Sequence, residues 1–136
     1  MNKNLVEELL PHAVKAIKDT GICDEKQRID KTFRGQISSF GAAVSTGSLL
    51  AAVAFFSAKG GASVDRQHLM EAINNMLRDS KRATVGATLF DTVKNAADKQ
   101  KIKEDVLCCA VAIKLAMNLF DLGQGEEKED KKEAAQ

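Results

Sequence analysis

The sequence predicts an all-α fold, a compact bundle of five to six helices. Three observations lead there. Apolar residues recur every three or four positions through most of the chain, which is the spacing of one face of a helix. Residues typical of all-β chains are scarce, with no Trp, no Tyr and a single Pro among 136 residues. The 12 Leu, 7 Ile, 9 Val and 6 Phe supply enough apolar surface for a core. Each such side chain contributes roughly 1.5–3 kcal/mol when buried, most of it offset by chain ordering. The length fits one helical domain over 1–122, followed by a charged, disordered tail over 123–136.

The first helix carries Leu5, Leu9, Ala13 and Ile17 on one face and is stopped by Gly21. Pro11 lies inside this pattern and predicts a kink, or a start later than residue 3. Asp24 is a candidate cap for the second helix, whose stripe is Ile29, Phe33, Ile37, Phe40 and Val44. Gly47 and Ser48 mark a turn, with Ser48 capping a short helix from Leu49 to Ala58 that Gly60 and Gly61 end. Ser63 can cap the next helix, with Leu69, Ile73 and Leu77 on its buried side. The charged run Arg78 to Arg82 reads as a connection, and Val85, Leu89, Val93 and Ala97 as another stripe. The last helix starts near Ile102 and is long and apolar on most of its circumference, which puts it at the centre of the bundle. From Gly125 onward the chain has no bulky apolar residue, too little to offset the cost of ordering.

Several functional classes are disfavoured. With 20 basic and 19 acidic residues, the overall charge demands neither a nucleic acid nor a membrane. Residues 35–58 are uncharged, but their first half is polar and only Leu49 to Phe56 is strongly apolar, so a buried helix is expected and not a membrane span. Three cysteines, two of them adjacent, give no disulfide framework and suggest a reduced, cytoplasmic setting. The opening Met1-Asn2-Lys3-Asn4 leads into a helical pattern unlike a secretory leader. His12 and His68 lie on separate helices, and Cys108-Cys109 lacks the spacing of a metal or redox pair, so no catalytic group, cofactor or metal is expected. Gly35, Gly41 and Gly47 fit no phosphate loop, and Gly41, Ala42 and Ala43 read as packing residues.

Charge is nevertheless unevenly placed. Between Arg78 and Lys103 stand seven bases and three acids, and Lys26, Arg28, Lys31 and Arg34 form a second cluster. On a shared face the two would follow a phosphate backbone. Phe33 is the one aromatic among them, so stacking on bases is expected to be weak.

Residues 31–60, KTFRGQISSFGAAVSTGSLLAAVAFFSAKG, carry an ordered set of features. An aromatic follows a base at Lys31 and Phe33, and a tract ends in the Gly47 turn. A short helix with Leu49, Ala52, Ala54 and Phe55-Phe56 closes on Ser57 and Lys59. Together with the helix at Leu69 to Leu77 and the terminal helix, this resembles the family of small subunits of type III-B CRISPR effector complexes, the Cmr complexes, over residues 28–122. The last helix has no Trp, Phe33 stands where Tyr is usual, and the tail is extra. The analogous type III-A small subunit is the neighbouring possibility.

The resemblance implies a non-catalytic, RNA-binding subunit in antiviral defence. It would stack on the backbone subunit and on neighbouring small subunits, beside guide RNA and target RNA, with no membrane partner. Lys31, Arg34, Lys59, Arg78, Lys81 and Arg82 are the residues expected to touch phosphates. The alternative is a protein–protein interaction module using the last helix or the Gly41–Gly47 surface.

Overall fold

The computed structural model describes residues 2–58 and 65–123. Lys59, the Gly60-Gly61 stop, the Ser63 cap and the tail lie outside them. The described residues form six α-helices: α1 (Lys3–Asp19), α2 (Thr32–Thr46), α3 (Leu49–Phe56), α4 (Gln67–Asp79), α5 (Leu89–Asn95) and α6 (Lys99–Ala116), with a 3₁₀ turn over Met117–Leu119. α6 packs against α1, α2 and α4, and is thus the centre of the bundle.

α1 begins at Lys3, where the Asn2 side chain accepts from the Leu5 N–H at 3.1 Å, so the later start does not occur. Pro11 stays inside the helix, its cost offset by burial of the Leu5, Leu9, Ala13 and Ile17 face. Thr20 closes the helix on the Ala16 carbonyl, and Gly21 follows in the left-handed region at φ 79°.

Asp24 does not cap α2. It folds the connecting loop, accepting from the Lys26 and Arg28 N–H groups at 2.9 Å each, while Asp30 accepts from Thr32 at the helix start. Ile29 donates to the Asp121 carbonyl at 2.8 Å, tying this loop to the chain just beyond α6. The α2 stripe of Phe33, Ile37, Phe40 and Val44 is buried throughout.

Ser48 caps α3 by accepting from Ala51, and α3 ends at Phe56, two residues short of Ala58. α4 runs through Arg78 and Asp79, which the sequence pattern assigns to a connection. α5 keeps only Leu89 and Val93 of its stripe; Val85 and Ala97 lie outside the helix. Asp98 caps α6, which starts at Lys99, three residues earlier than Ile102. α6 is long but not apolar along its length, since Lys99, Lys101, Lys103, Glu104 and Asp105 occupy its opening turns.

Between α4 and α5 a polar network holds the incoming loop. The Asn74 amide donates to the Gly86 carbonyl at 3.1 Å, and the Thr92 hydroxyl bridges the Asn74 side chain and the Gly86 N–H. The uncharged stretch 35–58 is broken at Gly47, and no described helix is long and apolar enough to cross a membrane.

Candidate nucleic-acid interface

The basic residues fall into two groups. At the start of α2, Lys31 is exposed and makes no ion pair among the described residues. Arg34, half-buried, donates through Nη1 to Asn118 Oδ1 at 2.7 Å. Arg28 is paired with Asp24 at 3.0 Å. The Arg28 backbone N–H foremost, then the Arg28 guanidinium and the Lys26 N–H, holds the Asp24 carboxyl below the usual carboxylate range.

The second group sits where α4 ends. Arg78 pairs with the neighbouring Asp79 at 3.0 Å. Lys81 occupies the left-handed region at φ 61°, exposed and without an ion pair among the described residues. Arg82 is turned inward. Its Nη2 and Nε donate to Asp105 Oδ1 at 2.9 and 3.3 Å. Lys101 donates to Asp105 Oδ2 and to the Arg82 carbonyl, both at 2.8 Å. The Asp105 side chain is only 2% exposed, so both oxygens exchange water for cationic donors. This clasp fastens the α4–α5 connection to α6 and engages the Arg82 charge inside the molecule.

Arg78, Lys81 and Arg82 are therefore brought together, and Lys101 joins them. Lys31 and Arg34 are brought together elsewhere. Arg82 meets α6 at Asp105 and Arg34 meets the chain at Asn118. At about 1.5 Å per residue, these anchor points are about 20 Å apart. The two groups are thus anchored at different points along α6 and the 3₁₀ turn that follows it.

A third basic group has no counterpart in the sequence pattern. Arg66, just before α4, lies over the exposed Phe55 ring with its guanidinium carbon 4.4 Å from the ring centroid. Phe33, the aromatic the sequence places among the bases, is buried.

The remaining reactive side chains are quiet. His68 is half-buried, with Nδ1 3.5 Å from Glu71 Oε1, a distance too long for a well-formed hydrogen bond. Burial raises the thiols of Cys23, Cys108 and most strongly Cys109, which disfavours the reactive thiolate. No group of three or more His, Cys, Asp or Glu among the described residues is arranged to hold a metal ion. Gly41, expected to pack against a neighbour, instead opens on a groove between α2 and α6, since an added Cβ would meet nothing within 4 Å.

A family model described as CRISPR-associated protein (Cas_Cmr5) matches residues 7–120. Neither a curated protein nor a solved structure matches the chain. The family match takes in most of α1, every other helix and the 3₁₀ turn, together with both basic groups and the Asp105 clasp. The chain belongs to the CRISPR-associated Cmr5 family.

Proposed function

We propose that the protein is a non-catalytic small subunit of a type III-B CRISPR effector complex. In this reading it works in the cytoplasm in antiviral defence. It stacks on backbone and neighbouring small subunits and contacts guide and target RNA through basic side chains. Membership of the Cmr5 family is the observation that carries the reading, and it favours the type III-B over the type III-A complex. Base pairing by the guide supplies sequence specificity in RNA-guided systems, so this subunit needs only to engage backbone and shape.

The geometry ranks the phosphate-binding candidates. Lys31 and Lys81 stand first, exposed and outside any ion pair among the described residues. Arg34 and Arg78 are engaged by Asn118 and Asp79 yet remain near the surface, and Lys59 completes the set. Arg82 contributes mainly by shaping the turn that presents Lys81. A Lys31→Glu, Lys81→Glu variant should weaken RNA binding by the assembled complex. Its plot of log affinity against log salt should be shallower by about 1.4, at about 0.7 for each single-strand phosphate that is no longer neutralised. Unchanged affinity and slope would refute these two assignments.

The second reading, a protein-only interaction module, draws on Leu115 and Leu119, which are 46% and 74% exposed one turn apart at the end of the last helix. It predicts no salt-dependent RNA affinity.

A further inference from the structure

We propose that the cleft between α2 and the Phe55–Arg66 pair is a stacking site for an unpaired RNA base, with Arg66 and Lys31 drawing in the adjoining phosphates. The inference rests on the RNA-binding reading and assigns it a specific location and ligand class. The cleft has a volume of about 430 Å³, with Gly35, Gln36 and Ser39 on one wall and Phe55, Phe56 and Arg66 on the other.

Four features of the cleft fit a flat, polar-edged, negatively charged ligand. Phe55 is 61% exposed, a hydrocarbon ring left in water by a chain that buries Phe33, Phe40 and Phe56. The Phe55 and Phe56 rings stand at 70° to each other with centroids 5.4 Å apart, a contact that restricts the orientation of Phe55. Arg66 lies over that ring and forms no ion pair among the described residues, so its charge is available to a phosphate. Two polar atoms here, Gln36 Oε1 and Arg66 Nε, are buried without a hydrogen-bond partner among the described residues. Such atoms are costly unless something satisfies them, and the edge of a base offers both a donor and an acceptor.

The opposite wall is correspondingly bare. A Cβ on Gly35 would meet nothing within 4 Å among the described residues, so their packing does not require glycine there. Glycine inside a helix nevertheless costs about 1 kcal/mol relative to alanine. Close approach of a ligand accounts for that choice. Lys31 precedes α2, next to the cleft-lining Thr32, and its carbonyl accepts from the Gly35 N–H at 3.4 Å. The structure thereby supplies the aromatic that the basic clusters lack in sequence.

The test is an NMR titration of the full chain with a short single-stranded oligoadenylate, and with the same strand in a duplex, at several salt concentrations. Single strands should shift the Phe55 ring and Gly35 amide resonances, and the duplex should leave them in place. Phe55→Ala should weaken single-strand affinity by about fivefold or more, the range expected for one stacked base, with the salt slope unchanged. Arg66→Ala should weaken affinity and also lower the slope. Gly35→Leu should block the cleft from its other wall without disturbing the fold. Loss of single-strand binding in that variant supports the site even if Phe55→Ala folds poorly. If Lys31→Glu, Lys81→Glu weakens binding while Phe55→Ala and Gly35→Leu do not, the stacking site is wrong and the wider RNA reading stands. No RNA binding by the wild-type chain, alone or assembled, overturns both. Loss of another subunit's binding in Phe55→Ala, with RNA affinity intact, would make the cleft a protein-docking surface and refute the proposal.

Discussion

Removing both cations from Asp105 should cost more than the two single removals combined. The Asp105 side chain is 2% exposed, Arg82 is 35% exposed and Lys101 is 50% exposed. Arg82→Ala leaves the carboxylate with Lys101 alone. Breaking a buried pair costs about 3–5 kcal/mol, but the surviving lysine and the partial exposure of Arg82 bring this to about 2 kcal/mol. Lys101→Ala removes a half-exposed partner and its bond to the Arg82 carbonyl, for about 1 kcal/mol. The double variant strands a buried carboxylate and should cost about 4–5 kcal/mol, well above the sum of about 3. Urea unfolding of the four proteins measures this directly, with equal slopes showing that only stability has changed. Single effects that add to within about 0.5 kcal/mol would refute the clasp, because independent sites behave that way.

Three further outcomes follow from local geometry. Gly86→Ala places a Cβ 2.8 Å from the Asp91 Cβ beside the Asn74–Thr92 network, and thermal or urea unfolding should show a loss of about 1–3 kcal/mol; an unchanged midpoint would contradict it. Asp24 should titrate by NMR below the ordinary value of about 3.9. A lowered folded-state value gives stability that is present above the ordinary range and lost as pH falls through the folded value, so Asp24→Asn should flatten the acid limb of the stability profile. Alkylation of the native protein should modify Cys23 slowly and leave the buried Cys108 and Cys109 intact until the chain is unfolded; early modification of Cys109 would argue against its packing.

Helices were legible wherever burial follows a single face. The stripe through Phe33, Ile37, Phe40 and Val44 is readable because α2 buries one side, and α6 because its apolar half is enclosed by α1, α2 and α4. Local competition defeated finer readings. Asp24 has the chemistry of a helix cap, but the same side chain also closes a loop on nearby N–H groups, and the residues that follow decide which. Arg78 and Asp79 look like a connection from their charge, yet α4 continues through them because Leu77 is fully buried beside them.

The basic residues were legible as composition but not as geometry. Nothing local reveals that Arg82 turns inward, because its partner Asp105 lies on another helix and counts as polar in any periodicity. The one available signal was Lys101 placed four residues before Asp105 on the same helix face. The Phe55–Arg66 pairing likewise depends on how α3 and the start of α4 come together, which neither segment encodes alone.

Membership of an RNA-loaded complex is best tested by gentle affinity purification of the tagged protein from its native host, with identification of the proteins and RNA retained. The expected result is a set of several Cmr subunits in fixed proportion together with a discrete guide-sized RNA. Recovery of one partner protein with no RNA would contradict it.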